Sequence, residues 1–97
     1  MTDLKALTKS NPPTTVAEAV DRLLDILDED DQHDIAGMSK NELIDLHFGL
    51  GMGVRNAWLW KGNDALLDDC EKYDKFAFEP DSCSGVITRA LWKRLRA

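Results

Sequence analysis

With 97 residues, 43% of them hydrophobic, the chain is long enough for one modest core and too apolar to stay disordered. Its formal net charge of −6 disfavours direct nucleic-acid binding, and no apolar run approaches the ~18–20 residues that span a bilayer. The opening MTDLKALTKSNPPTT lacks the apolar core of a secretory signal, so a cytoplasmic location is expected, with Cys70 and Cys83 reduced by default, although the sequence does not stop them meeting in space.

Residues 1–13 are polar and close on Asn11-Pro12-Pro13, which predicts a flexible arm ahead of a single helical domain over 14–97. Thr15-Val16-Ala17-Glu18 matches a capping box, with Thr15 as N-cap and Glu18 reaching back. Val16, Val20, Leu23, Leu24 and Leu27 follow at helical spacing, with Glu18, Asp21, Asp25 and Asp28 on the other side, so a first helix is expected over about 16–28. DEDDQHDIAGM leaves room for an extra turn at 31–36, capped by Asp30 or Asp31 and pinned by Ile35 and Met38. Read as a calcium loop from Asp31 to Glu42, it puts His33, Ile35 and Ala36 where oxygen ligands and glycine are needed, so it fails.

Ser39-Lys40-Asn41-Glu42 is a second capping box and opens a helix expected over 40–60. Its interior, DLHFGLGMGVRNAWLW, carries Gly49, Gly51 and Gly53. A phosphate loop follows a strand, has different glycine spacing and continues into other residues, which excludes that reading. A break is one alternative, since each glycine costs ~1 kcal/mol in a helix relative to alanine. The unbroken phase of Leu43, Leu46, His47, Leu50, Val54 and Ala57 favours the other, a continuous helix whose glycines let neighbours approach. On that wheel Phe48, Met52 and Leu59 lie opposite the main stripe. Such a helix is either central to the domain or covered on one face by a partner.

Lys61-Gly62-Asn63-Asp64 reads as a turn and cap before a third helix over about 65–73 that buries Leu66, Leu67, Cys70 and Tyr73. KFAFE alternates but is too short to carry a sheet. Glu79-Pro80-Asp81-Ser82 opens a fourth helix, about 81–95, with proline near the first turn. Cys83, Val86, Ile87, Ala90, Leu91 and Leu95 form its apolar stripe, and Arg89, Lys93, Arg94 and Arg96 suit the negative end of its dipole. The expected fold is all-α, a compact four-helix domain.

The stretches TVAEAVDRLL, LHFGLGMGVRNAWLW, NDALL and PDSCSGVI carry a resemblance. They are similar to an uncharacterised bacterial small-domain family whose members read TVEEAVxxLL, LHFGLGMxIRNxxxLW, N-x-x-L and PDxxSxxI. The likeness runs from about Thr15 to Trp92. The family has no assigned activity, so the resemblance implies no mechanism. Members place a histidine before the PD dipeptide; this chain has Glu79 there, and no role for that histidine carries over.

Few residues suggest chemistry. His47 sits on an apolar stripe, where a histidine hydrogen-bonded within the core is the ordinary role. Arg55 is expected to pair with an acid on the first or third helix, and Asn56 to bond a loop backbone. No catalytic, cofactor-binding or metal-ligating set is apparent. Trp92 beside Arg89, Lys93 and Arg96 has the composition of an interface, or else packs under the N-terminal arm. The leading expectation is an acidic, non-catalytic interaction module that binds another protein or forms a homo-oligomer, with Phe48, Met52, Trp60, Trp92 and Arg89 as contacts. Two other classes stand beside it. One is an acidic nucleic-acid mimic using Glu18, Asp21, Asp25 and Asp28. The other is a small-ligand or anion binder around His47, Arg55 and Asn56.

Overall fold

Across residues 3–9, 11–60 and 62–97, which the computed structural model of the protein describes, every regular element is helical. The described residues form a compact body with a Cα radius of gyration of 12.1 Å, but the four expected helices are not the observed set.

Helix α1 spans Val16–Ile26 and buries Val16, Ala19, Val20 and Leu23. Only half of its expected capping box forms. The Thr15 hydroxyl accepts from the Glu18 N–H at 3.1 Å, but the Glu18 carboxylate turns to Arg22, 2.8 Å away. A distant acid takes up the next donor, and the Val16 N–H donates to Asp69 Oδ2 at 2.7 Å. The extra turn at 31–36 is a full helix, α2, over Glu29–Ala36, and its cap is Asp28 rather than Asp30 or Asp31. Gln32 sets that corner, donating to the Leu24 and Leu27 carbonyls that end α1.

The continuous helix over 40–60 does not form. Ser39 and Glu42 make their capping box with both arms, and these hydrogen bonds from Ser39, the backbone one foremost, hold the Glu42 carboxyl below its ordinary range. They open a 3-10 segment, Lys40–Leu46, and the chain leaves helical geometry at Gly49 (φ −105°, ψ −93°). It resumes as α3 over Leu50–Val54 and widens into a π segment over Arg55–Leu59, closed by a Trp60 N–H to Arg55 carbonyl bond. Two forces defeat the phase argument. Three glycines cost a continuous helix ~3 kcal/mol. Arg55 Nη2 also takes the His47 carbonyl, which a continuous helix would offer to the Gly51 N–H. The wider π turn then brings Trp58 and its neighbour Leu59 inward together, so Leu59 does not share the exposure of Phe48 and Met52.

Gly51 and Gly53 do admit neighbours, a side chain at each and also the Leu46 carbonyl at Gly51, whereas nothing lies within 4 Å of a Cβ at Gly49. A Cβ at Gly53 would sit 2.9 Å from Leu4 Cδ1, and one at Gly51 would sit 3.1 Å from Arg55 Nη1. Leu4 belongs to a 3-10 turn, Leu4–Thr8, within the expected arm. That turn is packed: Leu7 is buried and its carbonyl accepts from the Trp58 indole at 3.1 Å. The rest of the arm includes Met1, Thr2 and Ser10, which lie outside the described residues.

Lys61, expected to begin the turn before the third helix, also lies outside them. Gly62 adopts φ +84°, which favours glycine, and Asn63 caps α4 over Asp64–Tyr73. Leu66 and Cys70 are buried, whereas Tyr73 is 60% exposed, contrary to expectation. KFAFE turns its small residue inward: Ala77 is buried and Phe76 and Phe78 are exposed. Pro80 starts α5, Pro80–Arg96. This helix, not the glycine-bearing one, is central, lying against α1, α2, α3 and α4. Its far end clasps α2. The Trp92 indole donates to the Met38 carbonyl at 2.8 Å, and Arg96 covers the Trp92 ring and donates to the Ala36 carbonyl.

Cys70 and Cys83 form a disulfide with a Cα–Cα distance of 5.5 Å, joining α4 to α5 inside the core, so the default of two reduced thiols is corrected. Among the described residues no helix is long and apolar enough to cross a membrane.

The bridge closes a loop with a sequence separation of 13. A loop of this size is worth about 3 kcal/mol in the chain-entropy account. Reduction is therefore expected to lower the melting temperature by roughly 12–24 °C, at ~4–8 °C per kcal/mol for a domain of this size. Circular dichroism melts with and without a phosphine reductant check this, alongside non-reducing peptide mapping of the Cys70–Cys83 pair.

Candidate functional site

Arg55 organises the polar centre of the molecule. The π segment places it against the first turns of α5, where it is only 4% exposed. Its Nη1 donates to Ser84 Oγ at 2.9 Å and lies 3.3 Å from His47 Nδ1. Its Nη2 donates to the His47 carbonyl at 3.0 Å, and its Nε lies 3.3 Å from Asp81 Oδ1. One guanidinium fork thereby joins the broken end of the 3-10 segment to α5, a task that needs several donors in a fixed plane. The acid is on α5, not on the first or third helix as expected.

Two hydrogen positions follow from this geometry. Arginine only donates, so His47 Nδ1 accepts and the ring hydrogen lies on Nε2. Ser84 Oγ accepts from Arg55 and donates its own hydrogen to the Asp81 carbonyl at 2.8 Å. A serine nucleophile needs the opposite arrangement, with its hydrogen held by a base.

Beside this cluster lies a cavity of about 360 Å³. His47, Gly51 and Ser84 reach it from the cluster; Lys40, Leu43, Ile44, Gly85, Thr88 and Arg89 complete most of its wall. At its edge the Phe48 ring stands edge-on to His47, with centroids 5.1 Å apart. Ile44 and Phe48 are 72% and 76% exposed, and Met52 is exposed four residues further on.

Of the expected polar site, His47 and Arg55 come together and Asn56 does not; it is exposed and takes no part in the cluster's hydrogen bonds. Of the expected contact residues, Phe48, Met52, Trp60 and Arg89 are exposed. Trp92 is half-buried and committed to Met38 and Arg96, so it packs against the end of α2 rather than under the arm. The acidic row on α1 is partly neutralised, with Glu18 on Arg22 and Asp21 3.5 Å from Arg94, while Asp28 caps α2. Sequence reasoning passed over Asp81 and Ser84 as partners of Arg55. The signal was present in PDSCSGVI, where these are the acid and the serine of the PDxxSxxI pattern.

A family model described as a domain of unknown function (DUF6794) matches residues 12–95, most of the chain. No curated protein and no solved structure matches.

The Arg55 cluster separates buried hydrogen bonding from an ion pair at its edge. Arg55→Leu strips the Ser84 hydroxyl and the His47 carbonyl of a buried donor and is expected to cost roughly 2–4 kcal/mol. Arg55→Lys should recover little, since one ammonium cannot span these acceptors. The Asp81 side chain is 60% exposed, so Asp81→Asn should cost less than about 1 kcal/mol. Urea denaturation of the three variants reads this order directly.

Proposed function

We propose that this chain, which belongs to DUF6794, a family of unknown function, is a small non-catalytic module that binds another protein. The observation that carries this reading is the apolar exposure beside the cavity. Ile44 at 72% and Phe48 at 76% are large side chains left in water, within eight residues of the exposed Met52. Exposed apolar side chains grouped beside a concave, partly polar surface are a usual mark of a protein contact. Trp60, 55% exposed, is a further contact on this reading. Trp92 is not, because its indole is already engaged within the chain.

The hydrogen-bond polarity at Ser84 weighs against nucleophilic catalysis, and the pairing of Glu18 and Asp21 weighs against an acidic decoy of nucleic acid. The Cys70–Cys83 bridge supports action in an oxidising compartment over the cytoplasmic location expected from the N-terminal sequence.

A photoreactive benzoylphenylalanine in place of Phe48 tests the contact in the native cells. The expected result is a discrete adduct on irradiation that disappears when Ile44→Asp is added. The same probe at the exposed position of Asp68 should give none. No adduct at position 48, or one indifferent to Ile44→Asp, would refute the reading. An adduct of twice the chain mass identifies the partner as a second copy.

A further inference from the structure

The chain is acidic, with 18 Asp and Glu against 12 Lys and Arg. The cavity beside His47 reverses this balance: Lys40 and Arg89 line it and no carboxylate does. Two cavities elsewhere are lined in part by acids, one by Asp74 and the other by Asp31 and Asp34. Asp81, the acid nearest this site in the hydrogen-bond network, is held on Arg55. Among the described residues, Lys40 and Arg89 make no ion pair or side-chain hydrogen bond, so both cations are available. Arg89 also borders the cavity that contains Asp74, yet the two do not pair.

The neutral groups agree with the charges. Arg55 fixes His47 Nδ1 as an acceptor, which leaves Nε2–H as a donor with no partner among the described residues. Leu43 and Ile44 give the cavity an apolar wall. Gly85 gives it room: it lies inside α5, and a Cβ there would meet nothing within 4 Å. No neighbour requires glycine at this exposed position on the cavity wall.

We infer that this cavity binds a small organic carboxylate with a short apolar body. The carboxylate sits between Lys40, Arg89 and His47 Nε2–H, and the hydrocarbon lies on Leu43 and Ile44. A volume of about 360 Å³ suits a ligand of several heavy atoms. The inference shares Ile44 with the protein contact proposed above but does not use the exposure of Phe48, and its test reads small-molecule binding with no partner present.

Hexanoate is the probe, titrated into ¹⁵N-labelled protein at constant ionic strength, with inorganic phosphate as the charge-only arm and hexanol as the apolar-only arm. Saturable shifts are expected at the Gly85 and Thr88 amides with hexanoate, and weaker binding in both other arms. Arg89→Gln and Lys40→Gln should each weaken binding about three- to fivefold, the size of one exposed charge pair. Gly85→Leu should fill the cavity and abolish saturation. It should also keep or raise the melting temperature, since leucine is the better helix former. Shifts that do not saturate, binding that survives in Gly85→Leu, or hexanol or phosphate binding as tightly as hexanoate would each overturn the assignment.

Discussion

The structure depends most on a buried cation. Arg55 loses its water and recovers the loss through the Ser84 hydroxyl, the His47 carbonyl and ring, and a carboxylate at the surface. An isolated charge at this depth would be strongly unfavourable. The surroundings therefore have to supply acceptors, and the fold is bent to supply them. The chain leaves its helix at Gly49, which frees the His47 carbonyl. Gly51 has no side chain where the guanidinium passes. The π segment rotates the residue toward α5. Each departure from regular helix between Gly49 and Leu59 coincides with a requirement of this one group.

That dependence explains which parts of the fold were legible in the sequence. Most caps were legible, because a cap joins residues three apart; the exception is α2, capped by Asp28 and not by Asp30 or Asp31. Thr15 and Ser39 accept from the backbone as their local patterns imply, Asn63 caps α4 within the expected turn, so that the helix starts one residue ahead of the expected position, and Pro80 takes the first position of α5. The capping box at Thr15 failed in its second arm for a reason that is also local, the nearby Arg22. What was not legible crosses long stretches of chain. Asp69 meets the Val16 N–H across 53 residues, Trp92 meets Met38 across 54, and Arg55 meets Ser84 across 29. Helical periodicity carries no information about such meetings. It predicted an unbroken helix over 40–60 because it weighed apolar phase and could not weigh the His47 carbonyl that Arg55 removes.

The candidate site was legible in halves. His47 drew attention as a polar residue on an apolar stripe, and Arg55 as a cation expected to pair with an acid. Asp81 and Ser84 lay in a second stretch that looked like a helix start and nothing more. The two stretches are the central and tail patterns of the family resemblance, and folding brings them onto one guanidinium. The resemblance thus acquires a physical content: in this chain its histidine, arginine, aspartate and serine meet in one polar cluster, and its second glycine leaves room for the guanidinium. That content is architectural. It explains why those residue types occur together without requiring that any of them react.

The start of α5 is held from two sides, by the disulfide at Cys83 and by Arg55 at Asp81 and Ser84. Its end is held through Trp92 and Arg96 on the carbonyls that close α2. Between these anchors stand Gly85, Thr88 and Arg89, on a helix fixed at both ends and facing a cavity. A glycine inside a helix gives up ~1 kcal/mol relative to alanine. At Gly51 and Gly53 a packed neighbour accounts for that loss, whereas at Gly85 the space is empty. The proposed carboxylate site rests on this open helical position and on two neighbouring cations that make no ion pair among the described residues.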